Sequence, residues 1–328
     1  MSGLLPILDG RRWGYVDPTG RRIIEPVFKA AMPFAEGLAA VRQKKRYGFI
    51  DDAGTEVIPE RFDKVVRFAE GLAVVHHKRA GKWRWGYADR SGDWLLKPEL
   101  LAAYDFSCGL ARVQFPDATW GFIDPTMTKR FEMSRWSGGF NENRAPTRDD
   151  DSGLYGYRGK DGSWKIAPRF ERAGAFHDGL AEVSSGGCVA FVDPNGTVAI
   201  QTDVPSPTHE PTCFDEGLAP VFDLRVGNYG YLDREGRYAI EPRYGVARAF
   251  CGGIAPAGPT TQDQGYIDTR GDYVIKPVLW TAWSFKDGIA KVFPDPSRPT
   301  AFGYIDAGGQ WIWQPSKAFH SRFDDLPS

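Results

Sequence analysis

Acidic residues recur along this chain at a spacing that could build a row of calcium sites. An aspartate closes a short motif in most copies, as at Asp17, Asp89 and Asp124. Calcium takes roughly six to eight oxygen ligands, and one carboxylate per motif does not supply them. Most of these aspartates instead open a segment that ends in glycine, such as Asp51-Asp52-Ala53-Gly54, which is typical of a type I turn. We therefore expect these carboxylates to accept hydrogen bonds from their own turns, and we predict no metal site.

Other arrangements that could carry catalysis are not evident in the sequence. The 5 His and 4 Cys show no metal-ligand spacing and no CxxC pair. The sequence contains no nucleophile–base pattern, phosphate-binding loop or dinucleotide fingerprint. Glu36 and Glu70 could act as general acids or bases, but both belong to a repeated motif, which favours a structural role. We predict no catalytic residues and no cofactor, so an enzyme would need a site built from irregular loops.

The most distinctive polar segment is His76-His77-Lys78-Arg79-Ala80-Gly81-Lys82-Trp83-Arg84-Trp85. This pattern indicates an elongated hairpin tip that is both basic and aromatic. Its side chains could contact an anion or an acidic partner, because Arg and Trp often anchor interfaces; those chosen are Lys78, Arg79, Lys82, Trp83 and Arg84. The alternative is a solvated loop. A Pro-rich insertion around His209 is the second candidate, since insertions in repeat proteins often mark the binding face.

The chain contains 11 Trp, a number that suggests a sugar-binding surface. Three of them, Trp13, Trp85 and Trp120, occupy the aromatic position of the repeated motif and are expected in the core. Three others share a later position in their repeats and could align as a stripe on which sugars stack. These are Trp94, Trp164 and Trp311.

All of these residues lie in repeats that are marked by one motif recurring nine times: an aromatic residue, Gly, an aromatic, an aliphatic and Asp, as in Trp13-Gly14-Tyr15-Val16-Asp17. Counted from the Gly, or from Ala190 in the sixth copy, successive intervals run from 34 to 40 residues. A period of this size indicates a repeat array. We predict one domain over residues 1–328, with units near 3–37, 37–71, 71–109, 109–143, 143–179, 179–217, 217–253, 253–288 and 288–328.

Each unit of about 35 residues is predicted to form three antiparallel strands. In the second unit these strands are 37–41, 47–50 and 55–58, with 61–66 as a candidate fourth strand. A Phe in a Phe-x-x-Gly segment, such as Phe68, is expected to seal the apolar face between one unit and the next. The predicted fold class is an all-β array of nine units, either an open superhelical array or, alternatively, a closed propeller-like ring.

The ordered combination of motifs resembles the bacterial WG-repeat family, also called the KWG-repeat family. The parts that carry the resemblance are the Trp/Tyr-Gly-Tyr/Phe-Ile/Val-Asp motif, the turn Gly, the Val-Ile-x-Pro strand and Phe-x-x-Gly-Leu-Ala-x-Val. The resemblance implies a bacterial, β-rich repeat protein and brings no catalytic residues with it. Members of the family mostly have no assigned activity.

Charge and hydrophobicity narrow the function classes. A formal net charge of -1 gives no general attraction to nucleic acid or anionic lipid, and no apolar run reaches the roughly 18 residues of a membrane helix. The first residues do not read as a signal peptide, so we expect a cytoplasmic protein. The leading hypothesis is a non-enzymatic scaffold that binds another protein, either as a bacterial toxin antagonist or as an adaptor. The alternatives are a carbohydrate-binding module and, third, an enzyme with a loop-built site; no oligomeric state is assigned.

Overall fold

Every regular element in the described part of the chain is a β-strand. A computed structural model describes residues 3–79, 81–206, 212–297 and 301–314. Among these residues, no helix is long and apolar enough to cross a bilayer. The prediction of an all-β repeat protein is therefore confirmed.

The chain divides into two compact units. The first contains Met1–Asp150 and Tyr157–Trp164, and the second contains Asp151–Gly156 and Lys165–Ser328. The first four sheets belong to the first unit and the last four to the second. The fifth sheet consists of β16 (Ala145–Arg148), β17 (Tyr155–Arg158) and β18 (Trp164–Phe170).

The first unit holds four sheets in chain order. Sheet one consists of β1 (Leu5–Asp9), β2 (Arg12–Val16) and β3 (Arg22–Phe28). Sheet two consists of β4 (Ala30–Ala31), β5 (Ala39–Arg42), β6 (Tyr47–Ile50) and β7 (Glu56–Phe62). Sheet three consists of β8 (Lys64–Ala69), β9 (Leu72–Arg79), β10 (Lys82–Ala88) and β11 (Trp94–Leu100). Sheet four consists of β12 (Ala102–Ala103), β13 (Ala111–Gln114), β14 (Trp120–Ile123) and β15 (Lys129–Met133).

The second unit continues the same pattern. Sheet six consists of β19 (Arg172–Ala173), β20 (Ala181–Ser185), β21 (Cys188–Val192) and β22 (Val198–Pro205). Sheet seven consists of β23 (Ala219–Asp223), β24 (Asn228–Leu232) and β25 (Tyr238–Tyr244). Sheet eight consists of β26 (Val246–Ala247), β27 (Ile254–Thr260), β28 (Asp263–Asp268) and β29 (Tyr273–Leu279). Sheet nine consists of β30 (Thr281–Ala282), β31 (Ile289–Phe293), β32 (Gly303–Asp306) and β33 (Trp311–Trp313).

Each sheet is a small antiparallel meander in which strands adjacent in sequence are adjacent in space. The three predicted strands are present in all nine sheets, and in the described residues six sheets also hold a fourth strand at the edge. This strand begins the sheet: β8 covers part of the candidate segment 61–66 but joins sheet three, not sheet two. A four-stranded antiparallel meander is the building block of a propeller, so the sheets match the propeller-like alternative.

The glycine of the recurring motif is required because the neighbouring strand comes too close for a side chain. A Cβ added to Gly48 would lie 2.4 Å from the carbonyl oxygen of Ile58. The register between β6 and β7 shifts at this point, which marks a β-bulge. The same close backbone approach occurs at Gly14, Gly86, Gly121, Gly156, Gly230 and Gly265.

The aspartate that follows this glycine caps its own turn, as the sequence predicts. One carboxylate oxygen of Asp51 accepts hydrogen bonds from the backbone N–H groups of Ala53 at 3.1 Å and Thr55 at 2.7 Å. The arrangement recurs at Asp17, Asp89, Asp124, Asp193, Asp233, Asp268 and Asp306. The hydroxyl of Thr19 and the turn N–H groups hold the pKa of Asp17 below its ordinary value. The carboxylates thus serve the frame of the fold.

The turn glycine also joins consecutive sheets. Gly92 adopts a φ of 82°, which L side chains rarely adopt, and a Cβ there would lie 2.6 Å from a methyl group of Ile58. Ile58 is fully buried in sheet two, whereas Gly92 ends the turn between β10 and β11 of sheet three. A turn of one sheet therefore rests directly on the core strand of the preceding sheet.

The recurrent Phe seals the space between consecutive sheets, as expected. Phe68 is only 2% exposed, and its ring centroid lies 4.7 Å from that of Phe49 in the preceding sheet. Both belong to a buried cluster that includes Val75 of sheet three. Centroid distances of 4.6 to 5.2 Å recur in the first unit for Tyr15–Phe34, Tyr87–Phe106 and Phe122–Phe140, and in the second for Phe191–Phe214, Tyr231–Phe250 and Tyr266–Phe285.

Replacing Phe68 with Ala should lower the free energy of unfolding by about 3–5 kcal/mol, because a large buried ring is removed and a cavity is left. Asp51→Ala should cost about 1 kcal/mol, because its turn is exposed and water can replace the lost acceptor. Denaturant unfolding of both variants measures these losses. If neither variant shifts the midpoint, the assignments of the Phe seal and the Asp turn are wrong.

Gly48→Ala should cost about 1–3 kcal/mol or more, because the new methyl group would force β6 and β7 apart. Gly139→Ala is the matched control, since a Cβ there meets nothing within 4 Å and the backbone has no left-handed φ. Thermal unfolding compares the two proteins directly. Equal stability of the two variants would contradict the close-approach explanation.

Candidate functional site: a basic hairpin and an adjoining groove

The predicted basic tip lies on an elongated hairpin of sheet three. Strands β9 and β10 pair without interruption from Lys82–Arg79 at the tip to Ala88–Ala73 at the base. The corresponding strands of sheet two, β5 and β6, pair over only three positions, from Ala39–Ile50 to Val41–Gly48. The hairpin therefore extends beyond what the repeat requires.

Side chains at the tip gather around Trp83, which is 42% exposed. The ammonium of Lys78 lies 6.0 Å from the centre of the indole, and that of Lys64 lies 5.3 Å away. Arg84 donates a hydrogen bond from its guanidinium to the carbonyl of Trp83 at 2.8 Å. Lys64 comes from β8 and was missed from the sequence, because only the additional edge strand brings it to the hairpin.

Two of the predicted binding residues lie outside what the structure describes: the Arg79 side chain and His209. Lys82 is exposed at the tip. The structure thus brings Lys78, Trp83 and Arg84 together, with Lys82 next to them on β10. Their role in binding stays a prediction.

His76 packs against two tryptophans of the hairpin. Its ring stacks on Trp85 with centroids 4.0 Å apart and an interplanar angle of 7°, and it also contacts Trp83 at 4.7 Å. Burial lowers the pKa of His76, and the nearby Lys64 lowers it further, while Asp63 acts in the opposite direction. The imidazole is therefore held in its neutral form near pH 7, as a packing element of the hairpin.

A groove of about 400 Å³ adjoins this hairpin and is lined by Arg46, Arg61, His77, Trp94, Lys97 and Pro98. Arg46 precedes β6 and Arg61 lies in β7, so sheet two supplies one wall. His77 of β9 and the residues of β11 supply the other wall from sheet three. The groove therefore has two arginines, a lysine, an imidazole and an indole among its lining groups.

The three tryptophans chosen for sugar stacking are each only partly buried, but they differ in surroundings. Trp94 packs edge-on against Phe62 at 5.4 Å and lines the groove. In the same unit, the guanidinium of Arg158 lies 4.4 Å from the ring centre of Trp164. In the second unit, Trp311 packs against the buried cluster of sheets eight and nine. The sugar-stacking role of these residues stays a prediction.

The tryptophans of the motif itself are less buried than the sequence indicates. Trp13, Trp85 and Trp120 are only partly buried, whereas the aromatic residue two positions later, such as Tyr15 or Tyr87, is fully buried. The guanidinium of Arg112 lies 4.3 Å from the ring centre of Trp120. The first aromatic residue of the motif therefore lies at the border of the core.

The repeated glutamates join consecutive repeats. Carboxylate oxygens of Glu36 and Glu70 accept hydrogen bonds from the backbone N–H groups of Gly71 at 2.9 Å and Gly109 at 2.8 Å, respectively. In the second unit, Glu216 accepts the N–H groups of Gly252 and Gly253. In the described part of the chain, no group of three or more His, Cys, Asp or Glu residues could hold a metal ion. These acids therefore have structural partners.

The repeats establish the family of the chain. The model of the WG containing repeat matches residues 13–47, 47–83, 85–115, 155–187, 229–257 and 265–293. Because these segments together cover more than half of the sequence, the chain belongs to the WG-repeat family, as the motifs indicate. No curated protein sequence matches the chain.

Solved structures of other proteins are similar to the chain at low sequence identity. Porphyromonas gingivalis dipeptidyl peptidase 4 gives a TM-score of 0.53 at 9% identity, covering 90% of this chain and 60% of that one. BamB from Moraxella catarrhalis gives 0.48 at 12% identity, covering 88% and 92%. Kluyveromyces lactis Hsv2 gives 0.39 at 7% identity, covering 83% and 94%. At 9% identity, the likeness to the peptidase concerns the fold alone and transfers no activity.

His76 should titrate below its ordinary pKa of 6.5. Lys64→Gln should raise this pKa, because a neighbouring positive charge is removed, and Asp63→Asn should lower it further. Because the folded-state pKa is depressed, the stability that His76 contributes is present above pH 6.5 and is lost as pH falls through the folded-state value. NMR titration of the imidazole, assigned with His76→Gln, measures the shift. A pKa at or above 6.5 would contradict the packing described for the hairpin.

Proposed function

We propose that this protein is a non-enzymatic scaffold that binds another protein through the tip of the β9–β10 hairpin. The observation that carries the proposal is the exposed Trp83 with cationic side chains next to its ring. Trp and Arg are the residues that most often dominate binding energy at protein interfaces. Because the hairpin extends beyond the repeat, it can contact a partner without disturbing the frame.

The charge of the tip indicates the character of the partner. Four cationic residues, Lys64, Lys78, Lys82 and Arg84, lie near Trp83 in a chain whose formal net charge is -1. A local cluster of one sign raises the rate of encounter with a surface of the opposite sign. The proposed partner is therefore a protein with an acidic patch, rather than nucleic acid or a membrane.

The repeat frame supports a binding role rather than catalysis. The acidic residues that recur in the repeats, such as Asp51 and Glu36, accept hydrogen bonds from backbone N–H groups, which gives them a structural role. Repeat arrays commonly present variable residues on such a frame as a binding surface. Within this proposal, the protein acts without a cofactor in the bacterial cytoplasm, as a toxin antagonist or as an adaptor.

The proposal predicts that binding depends on the hairpin tip. A pull-down from the native host, read by mass spectrometry, should recover a specific protein with the wild-type chain and lose it with Lys78→Glu/Lys82→Glu. Trp83→Ala should weaken binding by about 2 kcal/mol or more, as for an interface anchor. The control is Lys276→Glu/Lys286→Glu, which makes the same charge change at exposed positions of the second unit.

A partner that both charge variants retain equally would contradict the proposed surface. Glycan-array binding that disappears with Trp94→Ala, Trp164→Ala or Trp311→Ala, together with no recovered protein, would favour the carbohydrate-binding alternative. Unfolding midpoints of all variants separate loss of binding from loss of folding.

A further inference from the structure

We propose that the groove lined by Arg46, Arg61, His77, Trp94, Lys97 and Pro98 is a binding site for a phosphate monoester. Its phosphate would lie among the cationic side chains, and its organic part would lie on the indole of Trp94. The volume of about 400 Å³ falls in the range of small-ligand sites. None of the tip residues Lys78, Trp83 or Arg84 lines the groove, so the inference is independent of the hairpin proposal.

Arg61 differs from the arginines that occupy the same repeat position elsewhere. Arg243 donates a hydrogen bond to the carbonyl of Gly271 in the turn of the next repeat at 2.6 Å. Arg169 makes the same contact with the carbonyl of Gly196. In the described part of the chain, Arg61 has no such acceptor, and its guanidinium lies only over the Phe62 ring, at 5.7 Å. Its five N–H donors are therefore available to a ligand.

Lys97 is the second cation without a partner among the described residues, and it is exposed on β11. The remaining two basic side chains of the groove face Asp63. His77 lies 2.9 Å from one carboxylate oxygen of Asp63, and Arg46 lies 3.4 Å from the other. The groove thus retains two uncompensated positive charges from two different strands.

This charge count favours a phosphate over a carboxylate. A carboxylate carries one negative charge and is matched by a single Arg, whereas a phosphate monoester carries about −1.5 to −2 near pH 7 and three acceptor oxygens. The forked guanidinium of Arg61 and the ammonium of Lys97 together match the dianion in charge. Arg46 and His77 can add donors at the edge of the site.

Trp94 explains why the ligand should be an ester rather than free phosphate. Its ring packs edge-on against Phe62 and lies 6.4 Å from the imidazole of His77. Since the indole is partly buried yet lines the groove, it can offer apolar surface to a sugar or an aromatic ring. Two sources carry this chemistry: a phosphorylated side chain of a protein and a free sugar phosphate.

Isothermal titration calorimetry of the purified full chain tests the site with three probes: phosphotyrosine, glucose 6-phosphate and inorganic phosphate. Tyrosine and glucose without phosphate are the negative controls. At least one ester should bind saturably and more tightly than inorganic phosphate, and raising the salt concentration should weaken it. Preference for phosphotyrosine identifies a protein source, and preference for glucose 6-phosphate identifies a small-molecule source.

Arg61→Gln and Lys97→Gln should each weaken binding of the preferred ester by about tenfold or more, as expected when a charge-assisted hydrogen bond is removed. Both residues are exposed, so folding should be retained, which thermal unfolding checks. Lys276→Gln is the matched control, because Lys276 occupies the position of Lys97 in the eighth repeat. Trp94→Phe should weaken binding of the ester but not of inorganic phosphate.

Three results would overturn the assignment. The first is the absence of saturable binding by both esters. The second is equal binding by the wild type and the Arg61 and Lys97 variants. The third is binding of inorganic phosphate as tight as that of both esters, because it would remove the contact with Trp94. None of these results bears on whether a protein docks on the hairpin tip, which is tested with Lys78 and Lys82.

Discussion

The contact between two aromatic rings of consecutive repeats is the interaction on which the rest of the structure depends. A sheet of about 35 residues buries too little surface to be stable alone. The ring on the middle strand, such as Phe49 or Tyr231, meets the Phe of the next Phe-x-x-Gly segment at 4.7 or 4.9 Å. This contact closes the buried cluster between two sheets. The turn glycine seated on Ile58 and the glutamate that binds the next repeat's N–H groups reinforce the same interface.

This frame determines where function can reside. The residue types that most readily suggest chemistry, Asp at the turn and Glu before the Gly, have backbone partners in the frame. The two surfaces proposed for binding lie where a repeat departs from the pattern. The third repeat has a longer hairpin than the second. In the second repeat, Arg61 lacks, among the described residues, the carbonyl acceptor that its counterpart Arg243 has. Both departures lie in the first unit, at the hairpin and the adjoining groove.

The sequence predicts the frame well because each part of it depends on local rules. Short-range patterns predict the strands, the Asp-x-x-Gly turns and a buried Phe in Phe-x-x-Gly segments, such as Phe68. All three features are present. The additional edge strand was only partly predicted: β8 extends beyond the candidate segment and pairs with β9, so it begins sheet three instead of ending sheet two. For the same reason Lys64 was missed at the hairpin. The groove could not be predicted, since its lining residues are separated in sequence and meet only when two sheets pack.

If the aromatic contact couples consecutive sheets, removing it should loosen the sheets on both of its sides. Hydrogen–deuterium exchange followed by mass spectrometry on intact wild-type and Phe68→Ala protein tests it most directly, because exchange reports local opening of each sheet. Faster exchange is expected in peptides from both β6 and β9, which lie on the two sides of the seal, with no change in the strands of sheet seven. Faster exchange confined to β8, the strand that carries Phe68, would contradict the coupling.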